Sequence, residues 1–199
     1  MSIISVGLDV LREEYWRQLK GYKLGLLYNQ ASLDCQLGSS RQIISRLLPG
    51  QLKALFGPQH GHESEDQDNM VETDHSYDKE LNIPVFSLYS QIGKPLPEML
   101  DPIDILIIDL QDVGTRVYTF SSTMLNCLKA ASESGKKVVV LDRPNPLGGE
   151  IVEGNSLRPE LYSFVGPFCL PMRHGLTMGE MALIFNHVFK IGSDLEIVP

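Results

Sequence analysis

The run Ile105-Leu106-Ile107-Ile108-Asp109 is followed by a polar segment, residues 110–116, and the run Val138-Val139-Val140-Leu141-Asp142 is followed by Arg143-Pro144-Asn145-Pro146. Unbroken aliphatic runs of this length are typical of strands that are buried on both faces in a parallel sheet covered by helices. Ligands of such sheets bind outside the carboxyl ends of the strands. The polar residues that follow each run are therefore candidates for a binding or catalytic site.

Three earlier runs, residues 24–28, 52–56 and 85–88, end in the same way. One polar loop after a strand is ordinary, because loops lie in water. Five such loops that carry amide, imidazole, carboxylate and guanidinium groups indicate a site at one edge of the sheet. The residues predicted to gather there are Asn29, Gln59, His60, Tyr89, Asp109, Asp112, Asp142 and Arg143.

Helical patterns alternate with these strands, which predicts an α/β fold with right-handed crossovers. The predicted helices are residues 10–19, 39–48, 121–134 and 178–189. Thr177 and Glu180 have the spacing of a capping box at the start of the last helix. Residues 194–199 look like the beginning of a further strand, so we expect residues 1–199 to be one lobe that lacks its C-terminal continuation.

Composition narrows the classes of function. The 199 residues carry a formal net charge of -8, and the 17 Lys and Arg residues are scattered, which argues against nucleic acid or an anionic membrane as a partner. Cys35, Cys127 and Cys169 form no CxxC pair and do not suggest a disulfide framework or a zinc knuckle. No signal peptide and no run of transmembrane length is visible, so the expected location is the cytoplasm.

The sequence lacks the dinucleotide fingerprint GxGxxG, the P-loop and the GxSxG nucleophile elbow. The remaining chemistry is that of carboxylates, amides, histidine and arginine, which suits hydrolysis of a sugar by paired carboxyl groups. His60, His62 and Glu63 with Asp66 or His75 could instead hold a divalent metal, although their spacing matches no strong zinc pattern. We therefore predict neither a metal nor a cofactor.

Several longer strings together resemble the NamZ-type exo-β-N-acetylmuramidases, a family of glycoside hydrolases formerly known as a domain of unknown function. The strings are Asn29-Gln30-Ala31-Ser32, Phe56-Gly57-Pro58-Gln59-His60-Gly61, Asp109-Leu110-Gln111-Asp112-Val113-Gly114, Asp142-Arg143-Pro144-Asn145-Pro146 and His174-Gly175-Leu176-Thr177-Met178-Gly179-Glu180. The resemblance implies a Rossmann-like, doubly wound, mainly parallel sheet with helices on both faces, and a smaller C-terminal lobe across the active-site cleft. It also implies removal of N-acetylmuramic acid from the non-reducing ends of peptidoglycan fragments, so that the partner is a small muropeptide or amino sugar.

One position departs from the family pattern. Many members have Pro-Glu-His-Gly where this chain has Pro58-Gln59-His60-Gly61, and that glutamate is the leading catalytic candidate of the family. A glutamine can orient a sugar or a water, but it has no proton to give as a general acid. Another carboxylate would have to serve, and the candidates are Glu63, Glu65, Asp66 and Asp112.

We assign Asp112 and Glu65 as the acid/base pair and expect Gln59 and His60 to orient the substrate. The other residues expected to bind substrate are Asn29, Tyr89, Gln111, Arg116, Tyr118, Asp142, Arg143, Asn145 and His174. Arg116 or Arg143 could bind the lactyl carboxylate of muramic acid through two parallel hydrogen bonds.

Structural roles compete with some of these assignments. Asp109 could instead bond to backbone N–H groups at the end of its strand, and Asp142 with Arg143 could be an internal ion pair. For the whole chain, the main rival is a sugar-binding protein that has lost its catalytic acid at Gln59.

Overall fold

A computed structural model describes residues 5–58, 75–88 and 93–199 of the chain. Its single described sheet has seven strands in the order β3-β4-β2-β1-β5-β6-β7. The strands are β1 (Leu24–Tyr28), β2 (Leu52–Gly57), β3 (Ser76–Asp78), β4 (Ile83–Ser87), β5 (Ile105–Asp109), β6 (Lys137–Leu141) and β7 (Leu195–Val198). All neighbours pair in parallel except β3, which runs antiparallel to β4 at one edge. The predicted α/β class and mainly parallel sheet are confirmed.

Helices cover both faces of the sheet. They are α1 (Gly7–Glu13), α2 (Ser40–Leu47), α3 (Pro97–Leu100), α4 (Phe120–Glu133) and α5 (Met178–Val188). Two short 3-10 helices span Tyr15–Leu19 and Pro159–Leu161. None of the helices in the described ranges is both long and apolar enough to cross a membrane.

The helix predicted at residues 10–19 is wrong in its extent. It begins earlier, at Gly7, where the carboxylate of Asp9, the third helical residue, accepts a hydrogen bond from the Val6 N–H at 3.1 Å and so satisfies a free backbone donor of the first turn. The backbone leaves the helical region at Glu14, with φ of -140°, and continues as the 3-10 helix of Tyr15–Leu19. The capping box of Thr177 and Glu180 is present at the start of α5, as predicted.

Alternate residues of the central strands pack into two different cores, as the period of two in a strand requires. Leu27 of β1 and Ile108 of β5 belong to the core beneath α4 and α5. Leu26 and Ile107, their neighbours in sequence, belong to the core beneath α1 and α2. Each aliphatic run is therefore buried on both sides, which explains why these strands show no polar alternation.

The direction of winding reverses between β1 and β5. From β1 the chain builds β2 and β4 on one side, and then returns to place β5 and β6 on the other side. Tyr28 pairs with Asp109 at the carboxyl ends of these two strands. Binding sites of open α/β sheets lie at such reversal points, so the residues that follow β1, β5 and β6 occupy the position where a ligand is expected.

Candidate active site

Asp109 and Arg143 form a buried ion pair at the centre of the carboxyl edge. The Arg143 Nε donates to Asp109 Oδ1 at 2.6 Å and Nη2 donates to Oδ2 at 3.0 Å. The third nitrogen, Nη1, donates to the carbonyl of Leu33 at 3.0 Å. Burial raises the pKa of Asp109, since desolvation disfavours the carboxylate, and the guanidinium acts against that rise.

This ion pair shows that two of the structural roles considered from the sequence are wrong: an ion pair between Asp142 and Arg143, and a bond of Asp109 to backbone N–H groups. Arg143 pairs with Asp109 rather than with Asp142, because the side chain of Asp142 is engaged at the following helix. The Asp109 carboxylate bonds to a guanidinium rather than to backbone N–H groups. With all three of its nitrogens occupied, the Arg143 guanidinium holds the loops after β1, β5 and β6 together.

Asp142 caps helix α5. Its Oδ1 accepts from the backbone N–H of Gly179 at 2.7 Å and of Arg143 at 2.9 Å, and its Oδ2 accepts from the Thr177 hydroxyl at 2.8 Å. A Cβ on Gly179 would lie 2.8 Å from the Asp142 carboxyl carbon, so this close approach requires glycine. Asp142 therefore orients the last helix and the loop in front of it, residues 174–177.

Three other predicted residues join the same loops. Gln111 Nε2 donates to the carbonyl of Pro144 at 3.2 Å and to that of Asp112 at 2.7 Å. Asn145 Nδ2 donates to the carbonyl of Leu176 at 3.0 Å. Asn29 Oδ1 accepts from the Ser32 hydroxyl at 3.1 Å. The structure brings these residues to one edge as predicted, but these contacts are within the protein.

Ser32 was not singled out from the sequence. It is fully buried, and its hydroxyl contacts both Asn29 and the backbone carbonyl of Asp109, which ties the end of β1 to the end of β5. The available signal was its place three residues after Asn29, since short polar side chains at such spacing bond to local backbone.

Asp112 lies in the same loop and is held by neutral donors. Its Oδ2 accepts from the Gly114 N–H at 2.6 Å and lies 3.2 Å from His174 Nε2. Gly114 has φ of +81°, and a Cβ there would lie 2.5 Å from Asn145 Oδ1, so only glycine suits this turn. The Asp112 side chain is 3% exposed, and its Oδ1 is buried without a hydrogen-bond partner in the described part of the chain.

The two ring nitrogens of His174 have different partners. Nδ1 accepts from the backbone N–H of Leu176 at 3.1 Å, so in this contact it carries no proton. The proton of the neutral ring then lies on Nε2 and points at Asp112. His174 thus contacts Asp112 and Leu176, and its role in substrate binding stays a prediction.

Tyr118 is half-buried, with its ring against Phe120 at a centroid distance of 4.6 Å. Burial raises the pKa of the Tyr118 phenol, and the negative charge of Asp112 raises it further. Tyr118 therefore remains a neutral hydroxyl group at physiological pH, able to donate a hydrogen bond.

Arg116 fixes the long segment that leads to α5. Its backbone N–H donates to the carbonyl of Met172 at 2.9 Å. Its Nη1 donates to the carbonyls of Asn155 at 2.8 Å and Leu170 at 2.6 Å. Its Nε is buried and has no partner in the described residues.

Part of the predicted site lies outside the described residues: Gln59, His60, Glu65 and Tyr89. The same is true of His62, Glu63 and Asp66 of the metal alternative. Among the residues with described structure, no group of three or more His, Cys, Asp or Glu side chains could hold a metal ion.

Comparison with known proteins identifies the family of this arrangement. Residues 24–199 match the family described as exo-beta-N-acetylmuramidase NamZ, N-terminal. The chain belongs to the NamZ family. It is 45% identical over 195 residues to the peptidoglycan beta-N-acetylmuramidase NamZ of Bacillus subtilis, an alignment that covers 98% of this chain and 47% of that protein. The resemblance found in the sequence motifs is thereby confirmed.

Crystal structures of two DUF1343 family proteins from Bacteroides fragilis share this NamZ-family fold. One has a TM-score of 0.89 at 38% identity and is matched over 98% of this chain and 49% of its own length. The other has a TM-score of 0.82 at 29% identity and is matched over 100% of this chain and 52% of its own length. The chain therefore spans about half the length of the relatives it matches.

Proposed function

We propose that this chain provides the Asp112 side of the active site of an exo-acting glycoside hydrolase. The proposed reaction removes terminal N-acetylmuramic acid from peptidoglycan fragments, and the partner is a small muropeptide or amino sugar. Membership of the NamZ family supports this proposal, as does the name of the relative from Bacillus subtilis, peptidoglycan beta-N-acetylmuramidase.

The observation that carries the proposal is the state of Asp112. Most polar side chains at this edge are bonded to other protein groups, whereas Asp112 Oδ1 is buried and unpaired within the described residues. A buried polar atom without a partner is costly and calls for an explanation, and a catalytic or binding role is one. A sugar hydroxyl, a glycosidic oxygen or a water would complete this carboxyl group.

Asp112 suits acid/base chemistry because it has no counter-ion in the described part of the chain. Its Oδ2 is held by the Gly114 N–H and by neutral His174, which fix its orientation without a full positive charge. Its Oδ1 is then left to exchange a proton with the substrate. Most glycoside hydrolases use a pair of carboxyl groups, and Glu65 is proposed as the second one on the sequence alone.

The test is hydrolysis of 4-nitrophenyl β-N-acetylmuramide by the complete protein, with 4-nitrophenol release as the readout. We expect turnover that is unchanged by EDTA. Loss of turnover with EDTA and its return with a divalent metal would favour the metal-dependent alternative that includes His60 and His62.

A sugar-binding protein without catalysis is the second candidate, and Gln59 is the observation that favours it. The two functions differ in a simple way. Binding of N-acetylmuramic acid in a calorimeter, combined with no release of 4-nitrophenol over many hours, would support the binding protein and exclude the hydrolase.

A further inference from the structure

We infer that Arg116 binds the lactyl carboxylate of a terminal muramic acid and so determines specificity for muramic acid over glucosamine. This inference rests on the proposed function, because it names the substrate group that Arg116 would recognise. It also decides between the two arginines that the sequence left open for this role.

Arg116 is a buried cation without a counter-ion among the described residues. Arg116 is 7% exposed, and its guanidinium donates to carbonyl oxygens but to no carboxylate in the described part of the chain. Removing an unpaired charge from water is strongly unfavourable unless a partner compensates it. An anionic group of a ligand would supply that partner.

Arg143, at the same edge of the sheet, has a hydrogen-bond partner for each of its guanidinium nitrogens. Arg116 and Arg143 are the two buried arginines of the described ranges. Arg143 uses Nε and Nη2 on the two oxygens of Asp109. Arg143 is thus engaged within the protein, and Arg116 is the remaining candidate for a ligand carboxylate.

The contacts of Arg116 leave one specific edge of the guanidinium unused. Nη1 is occupied by the carbonyls of Asn155 and Leu170. Nε is buried and unpaired, and Nη2 makes no hydrogen bond in the described part of the structure. Nε–H and one N–H of Nη2 lie parallel along this edge, and their spacing matches the two oxygens of a carboxylate.

Arg116 and Asp112 both lie in the loop after β5, four residues apart, and each has one buried polar atom without a partner. The two atoms carry opposite charge and yet do not bond to each other. A ligand that presents a carboxylate and a hydroxyl or glycosidic oxygen would satisfy both. N-acetylmuramic acid differs from N-acetylglucosamine by a lactyl ether that adds such a carboxylate.

The experiment compares three ligands in the complete protein: N-acetylmuramic acid, its lactyl methyl ester and N-acetylglucosamine. Binding is measured by calorimetry, and hydrolysis is measured on the three 4-nitrophenyl β-glycosides. For the wild type we expect a preference for the acid over the ester of about tenfold to a hundredfold, the range for one charged hydrogen-bonded contact. Arg116→Gln should reduce the acid-to-ester ratio to about one. Arg116→Lys should restore only part of the preference, because an ammonium group lacks the two parallel N–H donors of a guanidinium.

Arg173→Gln is the matched control, because Arg173 lies in the same region but its Nη1 pairs with Glu153 at 2.9 Å. It should leave the acid-to-ester ratio unchanged. Equal affinity of the wild type for acid and ester would overturn the inference, whether or not Arg116 variants fold. So would an Arg116→Gln protein that keeps the wild-type ratio.

The binding arm separates this inference from the proposed function. If the protein hydrolyses no muramide but prefers the acid in a way that depends on Arg116, the proposed hydrolase activity is excluded and the carboxylate contact is supported. If the protein hydrolyses muramides but Arg116→Gln leaves the acid-to-ester ratio unchanged, the hydrolase activity is supported and the contact of Arg116 with the lactyl carboxylate is excluded.

Discussion

Arg143 and Asp109 form two parallel hydrogen bonds, of 2.6 and 3.0 Å, although 34 residues separate them in the sequence. Both are buried where β5 and β6 end, and Arg143 also reaches the carbonyl of Leu33 beyond β1. One side chain thus fixes three loops of the candidate site. The loop that carries Asp112 is attached to this pair through the end of β5.

Arg143→Met should destabilise the fold by about 3–5 kcal/mol, because it leaves the Asp109 carboxylate buried without its partner. The measurement is the free energy of unfolding from urea denaturation. The control is Arg158→Met, since Arg158 and Glu160 form an exposed pair that contributes at most about 1 kcal/mol. Adding Asp109→Leu to Arg143→Met should restore part of the loss, and a single variant as stable as wild type would contradict this account.

Local sequence patterns were enough to predict most of the elements. Unbroken aliphatic runs gave five strands of the sheet, since burial on both faces leaves no polar alternation, and the spacing of Thr177 and Glu180 gave the start of α5. The edge strand β3 could not be found in this way, because its three residues are polar or exposed and its pairing with β4 depends on the fold.

The hydrogen-bond partners of the side chains in the candidate site were harder to predict, because they too depend on the fold. Strand ends show which residues share an edge, but not which of them bond to each other. Asp142 is adjacent to Arg143 in sequence, yet it points to the N-terminus of α5, 37 residues later, while Arg143 turns to Asp109. Long-range choices of this kind depend on packing that no local pattern encodes.

Asp112→Asn should reduce kcat for the muramide by about 10²- to 10⁴-fold, the usual effect of removing a proton-transfer group. The fold should persist, because asparagine keeps an oxygen that can accept from the Gly114 N–H. Circular dichroism checks the fold and 4-nitrophenol release checks the rate. The exposed Asp101→Asn serves as the control. Full activity of Asp112→Asn would exclude Asp112 from the mechanism, and an unfolded protein would show a structural role.

His174→Ala should lower kcat by about tenfold to a hundredfold, because Asp112 loses one of the two donors to Oδ2. KM should change little, since both ring nitrogens are already occupied by protein groups. His174→Gln should recover part of kcat through its amide N–H. His187→Ala, at an exposed position of α5, is the control. A rise in KM at unchanged kcat would return His174 to substrate binding, as the sequence first suggested.

Gln59→Glu should raise kcat/KM for the muramide by about 10²-fold or more if the family glutamate acts as a proton donor at this position. Glutamate and glutamine have nearly the same shape, so the substitution tests chemistry rather than packing. Gln59→Leu removes the polar group at similar size and should not gain activity. A slower Gln59→Glu enzyme would place the catalytic carboxyl group elsewhere. The remaining candidates would be Asp112, Glu63, Glu65 and Asp66.

Glu196→Gln should make stability less sensitive to acid. Lys137 Nζ donates to Glu196 Oε2 at 2.6 Å across β6 and β7, and this hydrogen bond lowers the pKa of Glu196, with a further contribution from Tyr15. A carboxylate whose pKa is lower in the folded state contributes stability that is complete above its unfolded pKa, about 4.3 for glutamate. That contribution is lost as the pH falls through the folded pKa.

Wild-type unfolding free energy should therefore fall between about pH 5 and pH 3 more steeply than that of Glu196→Gln. Urea denaturation at each pH gives both curves, with Glu133→Gln at the exposed pair with Lys94 as the control. Parallel curves for wild type and Glu196→Gln would show that the Lys137 contact does not stabilise the edge strand β7.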